Sequence, residues 1–443
     1  MQRQIRLLLG ISIFWLALSI LQDGTNTLIL PLQISKLTNC ETQATILGLL
    51  TFLGLVFAAI IQPIAGALSD RWKPIIGRKG FIGIGLLLSL LSVFFFATIE
   101  TLIGVMVGYV LIQISASFAQ AGQQGLIPDL IDENHRGMAS GWKGFMDITG
   151  AMLGFILLGQ LLGSSKTPLA LGVIAAILVF TYLLATLLTP EDTRTTGVNV
   201  HTGTISLFNL FRLDLTEQSS FKHLLLARFL FLFGIYAIGR FLLFFVAGRL
   251  ALDSNQAAEK AGTILAGLAF VTILTSPLSG WLADHFGRVP LMVAGAIFGA
   301  ISALLLILAK TEVQILLFGS LMSIGSALFA SGNWALLADL VPKDESARYF
   351  GLANFSTAGS TAAAGLLGPT IDWLESISPG NGYTLLFIIS TIAFLVSLLP
   401  MRYVKNIGVQ DGNKRKDRAH AAGLAVVSIP ADPAALEENQ DPP

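Results

Sequence analysis

A charged stretch, GALSDRWKPIIGRK at residues 66–79, separates two long apolar runs of the chain. A shorter version, GWLADHFGR, returns at residues 280–288, again between two apolar runs. The two copies share a proline, a glycine and an aspartate at an offset of 214 residues: Pro63, Gly66 and Asp70 match Pro277, Gly280 and Asp284. Two copies of one charged turn at matched positions predict a duplicated chain that leaves a membrane and re-enters it.

A second motif repeats at nearly the same offset. Asp129 precedes Arg136 and Gly141, just as Asp339 precedes Arg348 and Gly351. Both the aspartates and the glycines are 210 residues apart. Two independent motifs that recur at nearly one offset support an internal duplication.

The composition is that of a membrane protein. Of 443 residues, 54% are hydrophobic and 12% charged, and the mean hydropathy is +0.74. Soluble domains carry roughly 25% charged residues. The formal net charge is zero, which gives no reason to expect a nucleic-acid partner. Because Cys40 is the single cysteine, no internal disulfide or cysteine-based metal site can form.

Twelve apolar runs are long enough to cross a bilayer, which takes roughly 20 mostly apolar residues per helix. We number them spans 1 to 12: 8–32, 45–68, 81–98, 101–125, 139–163, 168–189, 225–249, 259–283, 290–309, 313–337, 349–373 and 382–402. Continuous rather than alternating hydrophobicity excludes a β-barrel. The sequence therefore predicts an all-α integral membrane protein.

The spans divide the chain into two halves of six helices each. The predicted divisions are an N-terminal bundle at 1–190, a connector at 191–224, a C-terminal bundle at 225–403 and a tail at 404–443. We expect a short surface helix at 206–213 in the connector. The tail is polar and is expected to be disordered.

Basic residues predict the orientation. Twenty-one of the 27 lysines and arginines lie at or near the ends of the spans that face the same side as the N-terminus. Since basic residues are retained in the cytoplasm, both termini are predicted to be cytoplasmic, with the protein in the plasma membrane. The first apolar run is too long for a signal peptide and is interpreted as span 1.

Twelve spans in two halves, with a Gly-x-Leu-Ala-Asp-x-x-Gly-Arg motif after span 8 and a variant after span 2, resemble the major facilitator superfamily of secondary transporters. The first copy has four extra residues between Asp70 and Gly77, and this form is similar to the loop of proton-coupled sucrose and glycoside carriers. The resemblance implies two bundles that rock about a central site near the bilayer midplane. The expected partners are a small-molecule substrate and the lipid bilayer, with the carrier a monomer.

The resemblance also implies a cytoplasmic gate, in which Asp70 pairs with the other half when the carrier faces outward. A carboxylate is favourable beside a helix N-terminus or a guanidinium, and Arg78 is placed to reach Asp129. The alternative is that these charges only anchor a turn among lipid headgroups. The predicted gate residues are Gly66, Asp70, Arg71, Gly77, Arg78, Asp129, Arg136, Gly280, Asp284, Gly287, Arg288, Asp339 and Arg348.

Three charges stand out inside the predicted spans, namely Asp23, Asp147 and Arg240. An ionisable side chain at membrane depth costs at least roughly 2.5 kcal/mol on insertion scales, so each is a candidate functional residue. By the repeat offset Arg240 corresponds to Asn26, one turn beyond Asp23. We therefore predict Asp23 as a proton site, Arg240 as its partner or an anion ligand, and Asp147 as a second proton site. A static salt bridge and simple exposure at an interface are the alternatives.

Uncharged polar residues on the spans that line the cavity in this superfamily are predicted to contact substrate. They are Asn26, Gln113, Gln120, Tyr236, Asn333 and Trp334. Amides and an indole suit a neutral polar solute, although amides equally join packed membrane helices by hydrogen bonds.

No phosphate-binding glycine loop and no catalytic motif are present. The chain is therefore predicted to be a transporter without a cofactor, driven by an ion gradient, rather than an enzyme. The favoured hypothesis is a proton-coupled symporter of a sugar or glycoside. Proton-driven efflux of amphipathic compounds is the alternative, followed by a non-transporting membrane sensor or assembly factor.

Overall fold

The computed structural model describes residues 2–132, 135–190, 219–340 and 346–404, and every regular element in these ranges is a helix. The α-helices are α1 Gln2–Gly24, α2 Leu30–Leu37, α3 Gln43–Thr98, α4 Leu102–Leu130, α5 Arg136–Gly163, α6 Thr167–Leu188, α7 Ser219–Leu250, α8 Ser254–Phe286, α9 Arg288–Leu308, α10 Glu312–Leu340, α11 Ser346–Gly365, α12 Gly368–Ile377 and α13 Asn381–Met401. A π-helix, Thr25–Ile29, joins α1 to α2.

The predicted membrane fold is confirmed. Ten helices of the described ranges are long and apolar enough to span a membrane. One of them, α3, contains both span 2 and span 3, and α11 with α12 makes span 11, so all twelve spans are present. The predicted surface helix at 206–213 and the tail at 405–443 lie outside the described residues.

The charged stretch at 66–79 is not the loop that its composition predicts. The chain stays helical up to Gly77, where one residue with φ 70° and ψ 173° reverses it. Gly287, with φ 90°, makes the corresponding reversal between α8 and α9. Glycine adopts such angles without steric cost. The four extra residues of the first copy therefore lengthen span 2 by about one helical turn instead of enlarging a loop.

Two other spans are less regular than their hydrophobicity predicts. Span 1 passes from α1 through the π-helix Thr25–Ile29 into α2, and such π segments recur at functional sites. Span 11 breaks between Gly365 and Gly368, and Pro369 lies in the first turn of the second piece, where its missing N–H is tolerated. Span 7 begins at Ser219, six residues earlier than predicted.

The helix ends define two sides of the molecule. We call the side of residues near 2, 76, 130, 286 and 340 the basic side, and the side of residues near 40, 100, 165, 252 and 378 the far side. The halves touch on the far side. A Cβ on Gly48 of span 2 would overlap the Gly365 carbonyl oxygen of span 11. A Cβ on Gly262 of span 8 would lie 2.6 Å from the Phe155 oxygen of span 5.

The halves separate on the basic side. Cβ atoms built on Gly66, Gly141, Gly280 and Gly351 meet nothing within 4 Å. These glycines lie near the basic-side ends of spans 2, 5, 8 and 11, the spans that touch on the far side. The central cavity therefore opens to the basic side and is closed on the far side.

Replacing Gly48 with alanine should weaken this far-side closure, because the new methyl group overlaps the Gly365 carbonyl. Overpacking of this kind costs about 1–3 kcal/mol, so we expect a lower apparent melting temperature of the purified protein in detergent. Gly66→Ala is the matched control in the same span, since its methyl group enters open space. Equal melting temperatures for the two variants would contradict the described closure.

Candidate functional site

The charged residues of the N-terminal half form one cluster at the basic side. The Arg78 side chain is only 8% exposed and contacts Asp70 at 2.5 Å and Asp129 at 2.9 Å. Its Nη1 also donates to the Ser69 hydroxyl at 2.7 Å, and Lys73 contacts Asp129 at 2.9 Å. The cluster therefore ties the basic-side ends of spans 2, 3 and 4 within a single half.

The C-terminal half repeats the same pairing. Arg288 forms an ion pair with Asp339, at positions 210 residues beyond Arg78 and Asp129. Arg288 also donates to the Ala335 carbonyl oxygen at 2.7 Å. Asp284 is exposed and lies close enough to Arg288 to interact electrostatically.

The contact between halves expected of Asp70 is not made in this conformation. Asp70 is 63% exposed and binds Arg78 of its own half. Arg71 is exposed as well. The side chains of Arg136 and Arg348 lie outside the described part of the structure. The role of this region as a gate between the halves stays a prediction.

Arg78→Gln should destabilise the N-terminal half. The substitution leaves Asp129 with Lys73 alone and removes three contacts of a buried guanidinium, and a hydrogen bond to a charged group contributes about 1.5–3 kcal/mol. We expect a clear drop in apparent melting temperature in detergent. Arg71→Gln, an exposed neighbour, is expected to change stability by less than about 0.5 kcal/mol. An Arg78 variant as stable as the Arg71 variant would contradict a structural role for the cluster.

A further carboxylate joins the halves at the far side. Asp372 of span 11 is 6% exposed and accepts hydrogen bonds from the backbone N–H groups of Ala44, at 3.1 Å, and Thr45, at 2.6 Å. These groups belong to the first turn of span 2, whose N–H groups have no partner within the helix. A side chain from one half therefore caps a helix of the other half.

Two acidic residues of the N-terminal half, Asp23 and Asp147, lie within its spans. Asp23 is half-buried, accepts a hydrogen bond from the Ser19 hydroxyl at 2.6 Å and directly precedes the π-helix. Asp147 of span 5 interacts electrostatically with Asp23 and with Lys143. The Lys143 ammonium lies 3.8 Å from the centroid of the Trp15 ring.

The packing of spans 1 and 5 places the two carboxyls at different depths. Cβ atoms on Gly150 and Gly154 of span 5 would touch Leu16 and Ile20 of span 1, so the two spans run parallel in one register. In that register the backbone of Asp147 is level with Ile13, ten residues nearer the basic side than the backbone of Asp23. Asp147 is thus nearer the open side, and Asp23 lies deeper.

Arg240 faces phenols rather than a carboxylate. It is 8% exposed and lies against the hydroxyl of Tyr109, near Tyr236. The Tyr109 hydroxyl donates to Asn26 Oδ1 at 2.8 Å. Among the described residues, no ion pair joins Asp23 and Arg240 in this conformation. Tyr236 lies within electrostatic range of both, which places it between the two halves.

The predicted glutamines divide into two kinds. Gln120 donates to Gln22 Oε1 at 2.5 Å, joining spans 4 and 1. Gln113 is buried, and its Oε1 has no hydrogen-bond partner among the described residues. Gln123, on the same helix, donates to the Ile11 carbonyl oxygen at 2.7 Å and so joins packed helices.

A cavity of about 310 Å³ lies in the C-terminal half, between spans 7, 10 and 11. Two predicted substrate residues, Tyr236 and Trp334, line it. The full lining is Arg228, Phe231, Leu232, Tyr236, Ser326, Phe329, Ala330, Trp334, Asn354 and Thr357. Asn333 is fully buried behind it and accepts a hydrogen bond from Arg228.

Arg228 is the main residue of this site that the sequence did not single out. Its predicted span began at 225, which placed Arg228 at the membrane rim. The helix begins at Ser219, so Arg228 is nine residues, or about 13 Å, inside it. Asp372 was missed because it fell at the predicted end of span 11. Tyr109 was missed because an isolated tyrosine in an apolar run carries no signal of its own.

Comparison with known proteins identifies the kind of chain. The sequence model of the Major Facilitator Superfamily matches residues 7–258 and 224–435. The multi-drug resistance efflux pump PmrA of Streptococcus pneumoniae is 24% identical over 314 residues, which are 68% of this chain and 73% of that one. The class B tetracycline resistance protein of Escherichia coli is 26% identical over 157 residues, covering 35% of this chain and 38% of that protein.

Solved structures share the fold. A bacterial homologue of the human lysosomal transporter Spinster, in an inward-facing and occupied conformation, superposes with a TM-score of 0.70 at 13% identity. The match covers 91% of this chain and 97% of that one. An auto-inhibited peptide transporter of the POT family gives a TM-score of 0.66 at 14% identity, covering 90% and 96% of the two chains.

Proposed function

Because the chain belongs to the major facilitator superfamily of membrane transporters, we propose that it exports amphipathic compounds in exchange for protons. It does so by alternating access, in which the two halves rock about the central cavity. The basic side is the cytoplasmic side in this proposal, following the retention of basic residues there. The protein lies in the plasma membrane, and the conformation described is then open to the cytoplasm. It can therefore receive cargo from inside the cell.

The names of the relatives support export of amphipathic cargo. PmrA and the tetracycline resistance protein are both resistance proteins, and PmrA matches over most of the chain. The cavity supports the same cargo class, because Phe231, Phe329, Tyr236 and Trp334 give it aromatic walls. Aromatic walls with a few polar groups are typical of sites for small organic ligands.

The arrangement of Asp23 and Asp147 is the observation that supports proton coupling. Both are carboxyls within spans, and among the described residues neither forms an ion pair. A charged carboxylate at membrane depth is costly without such a partner, so proton binding and release at these groups are linked to the electrostatics of the cavity. Because Asp147 lies nearer the open side and Asp23 deeper, protons released from Asp23 pass Asp147 on their way out.

Sugar uptake is the second candidate. The stretch at 66–79 favours it by resemblance, and the Gln22–Gln120 pair offers amides that suit hydroxyl groups. However, the four extra residues of that stretch form a helical turn far from the cavity. We rank uptake below export for this reason.

Reconstitution into liposomes with an imposed pH gradient tests the proposal. The panel is fluorescein, rhodamine 123, sucrose and a phenyl glycoside, each measured inside the vesicles over time. Gradient-driven movement of a dye against the proton flow supports export. Accumulation of sucrose or the glycoside together with protons overturns it in favour of symport. Absence of flux for every compound, with the protein folded and inserted, favours a non-transporting role.

A further inference from the structure

Arg228 is a buried cation that no acidic side chain neutralises. It is 6% exposed, and it donates hydrogen bonds to the neutral oxygens of Thr357 and Asn333. Nε and Nη2 donate to the Thr357 hydroxyl at 3.2 and 3.0 Å, and Nη1 donates to Asn333 Oδ1. Among the described residues, no carboxylate lies within ion-pair distance. Burying a charge without a counter-charge is costly. A negatively charged partner would therefore stabilise Arg228 in this position.

The geometry leaves donors for such a partner. A guanidinium has five N–H groups, and the three hydrogen bonds above use three of them. The side chain lines the cavity, so the remaining N–H groups have access to a ligand. A fork of two N–H groups is the arrangement that binds a carboxylate or phosphate in a bidentate manner.

The surroundings of the guanidinium define the rest of the ligand. Arg228 lies 4.7 Å from the centroid of the Trp334 ring, and Phe231 stacks on Phe329 with ring centroids 3.8 Å apart. These rings form flat apolar walls beside the charge. Of the side chains that line the cavity in the described structure, Arg228 is the only charged one, so the lining carries a positive charge and no negative one.

We propose that this cavity is a subsite for organic anions, in which Arg228 binds the anionic group and Trp334 with Phe329 packs against an aromatic ring. The inference rests on the proposed function, because it names the class of cargo that the exporter carries. A volume of about 310 Å³ lies at the lower end of the range for small-molecule sites. It therefore fits one or two fused rings of a cargo whose remainder extends into the central cavity.

Two dyes with the same xanthene ring test the charge requirement. Fluorescein is an anion at neutral pH, and rhodamine 123 is a cation. Their binding to the purified full-length protein is measured by fluorescence anisotropy, which needs no transport. We expect fluorescein to bind, and Arg228→Gln to weaken its binding at least about tenfold, with Arg228→Lys in between because it keeps the charge without the fork.

Arg249→Gln is the matched control. Arg249 belongs to the same helix and lies 5.4 Å from the Phe245 ring centroid, but it does not line the cavity. It should leave fluorescein binding unchanged. Size-exclusion chromatography and melting temperature show whether each variant is folded, and Trp334→Ala provides a second test if Arg228→Gln does not fold.

The outcomes separate this inference from the proposed function. Loss of fluorescein binding in Arg228→Gln or Trp334→Ala supports the subsite, even when liposomes show no proton-driven export. Equal binding of fluorescein by wild type and the Arg228 variants overturns the subsite, even when rhodamine 123 is exported. Tighter binding of rhodamine 123 than fluorescein by the wild type also overturns it.

Discussion

Asp372→Asn opens the far side of the transporter. The carboxylate accepts hydrogen bonds from two backbone N–H groups at the start of span 2. An asparagine side chain has the same size, but its NH₂ group faces one of these N–H groups and cannot accept its hydrogen bond. Charge-assisted hydrogen bonds contribute about 1.5–3 kcal/mol each. A loss of about 2 kcal/mol shifts the equilibrium between the two conformations about thirtyfold toward the form that is open on the far side.

Spin labels measure this shift directly. Cys40 is exposed beside the far-side end of span 2 and is the single cysteine of the chain, so one added cysteine, Ser376→Cys in span 11, completes a pair across the halves. We expect a single short distance in the parent protein and a second, longer one in Asp372→Asn. A distance distribution unchanged by Asp372→Asn would contradict the role given to this carboxylate.

Glu375 supplies the control for the far-side experiment. It lies on the same short helix and also accepts backbone N–H groups, from Gly380 at 2.8 Å and Gly382 at 2.9 Å. Those groups belong to its own half. Glu375→Gln should therefore leave the distance between the labels unchanged, which separates a contact between halves from a local helix cap.

On the proposed proton-coupled export, we expect Asp23→Asn to uncouple transport from the proton gradient. Asparagine resembles a permanently neutral carboxyl group, so no proton can be released at this position during the cycle. We expect gradient-driven export to fall about 100-fold, within the usual range of coupling between two ligands of one protein. Exchange of labelled for unlabelled cargo without a gradient should persist and should lose its dependence on pH.

Asp147 and Asp253 complete this experiment. Asp147→Asn is expected to have a smaller effect, since it lies nearer the open side, and the double variant should abolish coupling. Asp253 caps span 8 from an exposed position, and Asp253→Asn should leave coupling intact. Gradient-driven export that survives in the double variant would eliminate these two residues as the proton sites.

The sequence was sufficient for the architecture because the bilayer imposes a simple rule on it. Each span must be a long apolar helix, and the duplicated motifs locate the halves. The pairing of Arg78 with Asp129 also followed from the sequence, since both are charges at neighbouring span ends. Its repeat at Arg288 and Asp339 is visible in the offset of 210 residues.

The site was harder to predict, because it depends on depth and on contacts between halves. Arg228 required the true start of span 7, and hydrophobicity places helix ends poorly when a polar residue begins the helix. Asp372 caps a helix more than 300 residues away in sequence, and no local pattern encodes that contact. The π-helix after Asp23 likewise has no signature in a continuously apolar run.

The one-residue reversals at Gly77 and Gly287 have a mechanical consequence. Because no flexible loop joins spans 2 and 3, these two helices cannot slide past one another. The same holds for spans 8 and 9. Each pair behaves as a stiff hairpin, with the Arg78 and Arg288 ion pairs bracing its bend against span 4 or span 10. A small tilt at the far-side contact is thus transmitted along the whole length of the hairpin and becomes a wide displacement at its other end.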